Sequence, residues 1–256
     1  MSSTTTNYPN LTLYRSNGSC SFASHMVLHE LGIPFNEVLM AFDPVANAVA
    51  PADGSLTPDE YKAQIHPHGY VPALKVIDPD TQQAVIITEN TAILSYIGSL
   101  NTTGPKNLLG KTPLERGQVI SWLSWLSSYL HGTGYGGLWR PRRFIDETAF
   151  DGEAGKEVQK HGRQTIDKAH ELLETRHADD GSGYALGQKV GLTLVDFYLY
   201  VFFIWGYTIG INDLAERFPK FARVARTVEG THGAKKAIAI EGTRDKIAGS
   251  AWVIRD

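Results

Sequence analysis

The pattern that most constrains this chain is a change of period near residue 101. Before it, strand-like and helix-like runs alternate; after it, nearly every signal is helical. "LTLYR" (Leu11–Arg15), leading into the turn sequence "SNGS", predicts a strand. "SFASHMVLHELG" predicts a helix, because Ala23, Val27 and Leu31 fall at i, i+4 and i+8, and Gly32 with Pro34 stops it. "FNEVLMAF" predicts a second strand, and "VPALKVI" and "AVIIT" around the turn-rich "DPDTQQ" predict a hairpin. "ENTAILSYIGSL" closes the unit as a helix, with Ile93 and Ile97 on one face and Ala92 and Tyr96 beside it. The order is β-α-β, an irregular link, then β-β-α. The Gly/Pro-rich "NTTGPKNLLGKTP" predicts a linker over 101–112, between a domain at 10–100 and a second at 113–250. In the second, "WLSWLSSYL", "KEVQKHGRQTIDKAHELLE" and "LVDFYLYVFFIW" are helical signals. The chain therefore reads as an α+β, thioredoxin-like N-terminal domain followed by an all-α C-terminal domain.

Two features test that reading. "FYLYVFFIWGYTIGIN" (Phe197–Asn212) is uncharged and strongly apolar, but it is shorter than the ~20 residues that span a bilayer, and Asp196 and Asp213 flank it. It predicts a core helix, with no membrane partner. Its start is marked by "LTLVDF", where Thr193 and Asp196 resemble a capping box and Leu192 with Phe197 a hydrophobic staple. Composition is that of an ordinary soluble domain, 42% hydrophobic and 20% charged, and a formal net charge of -3 gives no reason to expect nucleic acid. One cysteine excludes an internal disulfide. "MSSTTTNYPN" has no basic start or apolar stretch, so the expectation is a frayed arm on a cytoplasmic protein.

Three short motifs carry chemistry. Cys20 stands at the start of the first helix, where the macrodipole and unpaired N–H groups stabilise thiolate, and Ser21 offers a hydroxyl beside it. The competing reading is a small packed residue. With no second cysteine, Cys20 cannot cycle as a dithiol. In "HGYVPAL" (His68–Leu74), a proline opens a strand opposite that helix. Trans is the ordinary state of such a bond, yet thioredoxin-type folds keep a cis-proline there, next to a residue that pairs with an extended peptide, here Val71 after Tyr70. In "TENTAI", Glu89 and Asn90 lie between strand and helix; they serve either as capping residues or as readers of an amino-acid end group. "GTGYGG" lacks the lysine of a phosphate loop and reads as a flexible bend. "HMVLH" lacks the glutamate of a zinc protease, and the nine histidines suggest no metal set.

Together these motifs describe a glutathione site. From about Leu11 to Thr243, the chain resembles the cytosolic glutathione S-transferases, most closely the beta-like class of bacteria and fungi. The resemblance rests on "LYRSNGSCSFASH", "GYVPAL", "TENTAI", "WLSSYLHGTGYGGLWRP", "LTLVDFYL" and "AIAIEG", in that order. It implies that Cys20 contacts the glutathione sulfur or forms a mixed disulfide with it. It implies that Val71, with Tyr70 and Pro72, pairs with the cysteinyl backbone and that Glu89 and Asn90 bind the γ-glutamyl end. It further implies that His131 faces the thiol cleft, that His25 is structural, and that the protein is a homodimer. Tyr14 sits where many members keep an activating tyrosine, although Arg15 is nearest by alignment. The class lysine after the second strand has no clear counterpart; a long insertion, residues 43–68, suggests a reshaped lid, with His66 or His68 in the lysine's place or merely solvated. Ser124 and Tyr129 stand where the class often has Asn and Glu.

The implied function is activation of the glutathione thiol for attack on an apolar electrophile, with glutathione the co-substrate and no metal. Tyr129, His131, Tyr135, Trp139 and Trp205, with Ser124, would shape the co-substrate pocket. Two alternatives stand beside it: a glutathione-dependent double-bond isomerase of secondary metabolism, and a non-catalytic glutathione-binding regulatory protein.

Overall fold

The computed structural model describes residues 8–43, 48–102, 104, 106–146 and 152–242. The expected frayed arm, up to residue 7, part of the insertion (44–47), and Thr243 onward, including the end of the helical domain expected at 250, lie outside the described residues.

The first half is one mixed sheet with helices on both faces. β1 (Asn10–Arg15) lies at its centre; α1 (Ser21–Leu31) returns the chain to β2 (Asn36–Asp43), parallel to β1. β3 (Ala48–Pro51) then pairs antiparallel with β2, and α2 (Pro58–Gln64) crosses over to the antiparallel hairpin of β4 (Ala73–Ile77) and β5 (Ala84–Thr88). The strand order is β3-β2-β1-β4-β5, and α3 (Asn90–Ser99) follows. The link expected to be irregular thus holds a strand and a helix. The helix start carries its own signal: Thr57 Oγ1 accepts from the Glu60 N–H, Glu60 caps the Thr57 N–H in return, and Pro58 opens the first turn.

Side chains alternate across the sheet, and this divides the core. Leu11, Leu13, Leu74 and Val76 join the large core under α1 and α3, where Ile93 and Ile97 are fully buried. Tyr14, Met40 and Ala73 face the other way and pack with Tyr61 of α2.

The second half is helical. α4 (Pro113–Trp125) begins with a capping box of Thr112 and Glu115 and passes without a break into π-helical turns over Leu126–Tyr135 and then α5 (Gly136–Trp139). The wide turns show in the Gly136 N–H donating to the His131 carbonyl, five residues back. "GTGYGG" is therefore helix and not a flexible bend. Its glycines allow close approach: a Cβ on Gly137 would lie 3.2 Å from the Gly162 Cα of α6 (Glu153–Arg176), and one on Gly162 would lie 2.5 Å from the Leu138 nitrogen. A 3₁₀ turn at Pro141–Arg143 joins α5 to α6.

α7 (Leu194–Thr208) is the buried centre of this half, with every side chain from Leu194 to Tyr207 buried. No helix among the described residues is long and apolar enough to cross a membrane. At its start the Asp196 carboxylate accepts from the Thr193 N–H and hydroxyl and from the Ala185 N–H, at 2.7 to 2.9 Å. Burial pushes that carboxyl up to about 6, against these hydrogen bonds. α8 (Leu214–Arg217), α9 (Pro219–Glu229) and α10 (His232–Glu241) follow, and α10 docks back onto α1. There His25 Nδ1 meets Glu241 Oε1 at 2.7 Å, and the Gly233 N–H donates to Glu30 Oε2 at 2.7 Å. His25 is structural, as expected.

Candidate active site

Where α1 and α3 begin and the 71–72 bond turns into β4, the sheet half meets the π-helical turns and α7. Between them lies a cleft of about 600 Å³. Ser19, Cys20, Val71 and Glu89 line one side, and His131, Tyr135, Trp139 and Trp205 the other. The Val71–Pro72 bond is cis. Glu89 holds φ +70°, rare for a residue with a side chain, at the corner where β5 gives way to α3. Its side chain is exposed into the cleft, beside the unpaired N–H groups of the α3 start.

Cys20 is the N-cap of α1 rather than a member of its first turn, and its thiol donates to the Val71 carbonyl at 3.4 Å. Burial pushes the thiol up to about 12; the Arg140 charge and the N–H groups of Cys20 and Ser21 oppose this without overcoming it. The expected thiolate is therefore a neutral thiol in the free protein. Desolvation outweighs the helix start.

The loop before Cys20 is held from both halves. The Gly18 N–H donates to Glu241 Oε2 at 2.7 Å, and its carbonyl accepts from Trp205 Nε1 at 2.8 Å. Gly18 has φ +68°, which glycine adopts without strain. Arg15 bonds Glu37 and Asn17, each at 2.6 Å, so it braces this loop and does not touch the reacting position.

His131 is half-buried, its Nδ1 3.2 Å from the Tyr198 hydroxyl and its ring 5.2 Å from that of Trp205. Burial, helped by Arg143 and Arg140, lowers it to about 4, so the imidazole is neutral at physiological pH. The floor is aromatic: Tyr135, Trp139 and Trp205 lie with ring centroids 4.8 to 5.0 Å apart.

Residues 18–100 match the family model of the glutathione S-transferase N-terminal domain. Glutathione S-transferase GstA of Escherichia coli O157:H7 is 26% identical over 203 residues, 79% of this chain and 85% of its own. Glutathione S-transferase aclG of Aspergillus oryzae is 32% identical over 159 residues, 61% of this chain and 66% of its own. Among solved structures, the bacterial beta-class glutathione S-transferase of Sphingomonas chungbukensis superposes with a TM-score of 0.68 at 25% identity, over 91% of this chain and 99% of that one. The chain is a beta-class-like member of the cytosolic glutathione transferase superfamily.

Within this transferase, four of the expected site residues lie elsewhere. Ser21 is fully buried, its hydroxyl tied to Ser19 Oγ at 2.6 Å and to the Ser16 main chain, so it points away from the cleft. Tyr14 is on the α2 face of the sheet, against Tyr61, because alternation along β1 turns it away from α1. Ser124 is exposed on α4, and Tyr129 stacks on Trp125 outside the cleft. Asn90 reaches the cleft wall, but its side chain is committed: Oδ1 accepts from Ser24 and Nδ2 donates to the Cys20 carbonyl. That leaves its main chain for a ligand. Of the two insertion histidines, His66 is buried and lines the cleft, whereas His68 does not.

Sequence reasoning also missed lining residues of this transferase. Ser19, Ser127, Ile204 and Thr208 carry no motif of their own. Arg140 and Arg143 do leave a trace, the basic run "RPRR" just after Trp139.

Proposed function

We propose that the protein is a glutathione-dependent transferase, in which the tripeptide lies extended along Tyr70, Val71 and Pro72 and its thiol attacks an electrophile held on the aromatic floor. The observation that carries this reading is convergence. Three helix and strand starts far apart in sequence, at Cys20, Val71 and Glu89, open into one cleft with Trp139 and Trp205.

Each part has a physical task. Val71 offers peptide N–H and C=O groups to the cysteinyl unit. Glu89 attracts the γ-glutamyl ammonium, and the α3 start attracts its carboxylate. The glutathione sulfur then sits at the α1 start beside Cys20. Because Cys20 is neutral, it adds no repulsive charge, and its S–H can turn from the Val71 carbonyl to donate to a glutathione thiolate. If the Tyr198 hydroxyl donates to His131 Nδ1, the ring N–H is on Nε2 and gives the cleft-lining His131 a second donor for the sulfur. The thiol proton goes to solvent, thiolate attack forms the carbon–sulfur bond as the electrophile's leaving group departs with its electron pair, and these fixed donors hold the charge before and during attack.

The test is retention on immobilised glutathione together with conjugation of 1-chloro-2,4-dinitrobenzene. Both are expected; a protein that neither binds nor conjugates refutes the reading. An activated polyene separates the two chemistries, since a conjugate gains mass and an isomer does not.

A further inference from the structure

The cleft carries an unbalanced charge that the reading so far leaves unused. Arg140 and Arg143 both line it, and the 3₁₀ turn between them eclipses positions i and i+3, so their side chains rise from one edge. Both guanidinium groups lie over the Tyr70 ring, with Cζ 5.4 Å and 4.2 Å from its centroid. Stacking of this kind fixes a guanidinium while leaving its N–H edge free to bond. Among the described residues neither arginine has a carboxylate within ion-pair distance, whereas Arg15, Arg163 and Arg217 each have one. Glu89 is the one acid among the described residues lining the cleft, and it belongs to the α3 end. His66 is lowered by burial and His131 by burial and these arginines, so neither adds charge.

We propose that Arg140 and Arg143 form a clamp for a carboxylate borne by a substrate in the cleft. The proposal rests on the two-substrate reading above and narrows it: the co-substrate is not wholly apolar but has an apolar body and an acidic end. The position supports this, because Arg140 directly follows Trp139. Trp139, Trp205 and both arginines line the same cleft, so an apolar ring and an acidic group on one ligand have partners there. The C-terminal carboxylate of glutathione is a second owner of the same chemistry, so the experiment separates the two.

The probes are 4-chloro-3,5-dinitrobenzoate and its methyl ester. With either, the sulfur displaces chloride, the carbon–sulfur bond replaces carbon–chlorine, and the thiol proton leaves to solvent. Binding is read first, without glutathione, by quenching of tryptophan fluorescence, to which Trp139 and Trp205 in the cleft contribute; conjugation is read second. The wild type should bind the acid about tenfold more tightly than the ester, and the Arg140→Gln/Arg143→Gln variant should bind both alike. A misfolded variant would lose the ester as well, so the ratio reports the clamp and not the fold.

If instead acid and ester bind alike while the variant weakens binding of glutathione but not of its glycyl ethyl ester, the clamp holds the tripeptide's carboxylate. An acid preference that vanishes in the variant, with no conjugation by the wild type, keeps the clamp and refutes the glutathione reading. Equal binding of acid and ester together with unchanged glutathione binding in the variant overturns the clamp.

Discussion

Cys20 shows how burial can reverse what a helix start would do. A thiol pushed up to about 12 holds roughly a thousandfold less thiolate at neutral pH than one at its ordinary 9.0. Iodoacetamide should therefore label Cys20 far more slowly than it labels free glutathione, as read by mass spectrometry. Labelling at the same rate would mean that the thiol is not held protonated. For the same reason, Cys20→Ala should abolish any mixed disulfide with oxidised glutathione yet keep conjugation within about tenfold of wild type, because it removes one weak donor of several. Residue-scale chemistry was only half legible in the sequence. Cys20, Val71 and Glu89 were found because each stands at a junction between elements that turn chemistry marks. Ser21, expected beside the thiol, is buried while Ser19 lines the cleft, because nearby residues at a helix start point in different directions and no pattern says which one faces a cleft.

Among the elements, the helix running from residue 113 to 139 and α6 approach through glycine. A methyl on Gly162 would lie 2.5 Å from a main-chain nitrogen and 2.8 Å from the Gly134 carbonyl, neither of which can rotate away. Gly162→Ala should destabilise the protein by about 1–3 kcal/mol in denaturant titration. It should also weaken co-substrate binding, because the π-helical turns carrying His131 and Tyr135 would have to shift. At the start of α7, Asp196→Ala removes one acceptor serving three donors, two of them main-chain N–H groups, and should cost about 2–4 kcal/mol. A loss below half a kcal/mol at either site would contradict the packing described. Most elements were legible because α1, α3 and α7 carry local periodicity and stop signals. α2 was missed although "TPDE" repeats the T-P-x-E start of α4, "TPLE"; its seven residues are too few to show a period. The π-helical turns were missed because glycine-rich sequence looks alike whether it bends or packs closely. The guanidinium pair over Tyr70 joins positions seventy residues apart, and no local pattern records such a contact.

For the whole molecule, acid is the exposed weakness. Burial lowers His29, His131 and His177 from 6.5 to about 4 and His170 to about 3, and among the described residues neither ring nitrogen of His170 has a hydrogen-bond partner. The unfolded chain takes up protons near pH 6.5 that the folded one refuses, so stability present above 6.5 is lost as pH falls toward 4. Asp196 has the opposite sign: raised to about 6, it favours the fold at low pH and less so as pH rises through 4 to 6. With His66, also lowered by burial, five against one predicts an unfolding temperature that drops steadily between pH 6.5 and 4.5, measurable by calorimetry. A flat profile there would show that these histidines are not held neutral.

The peptide at Gly18 links the two ends of the chain in time as well as in space. Its N–H is satisfied by Glu241 and its carbonyl by Trp205, so the loop before the cysteine is set by side chains translated about two hundred residues later. The sheet half can acquire its strands while the ribosome is still at work, but the bend that aims Cys20 lacks its Trp205 bond until α7 has emerged and its Glu241 bond until α10 has docked. Expression that stops short of Glu241 would leave a chain with most of its core and a reactive corner still unshaped.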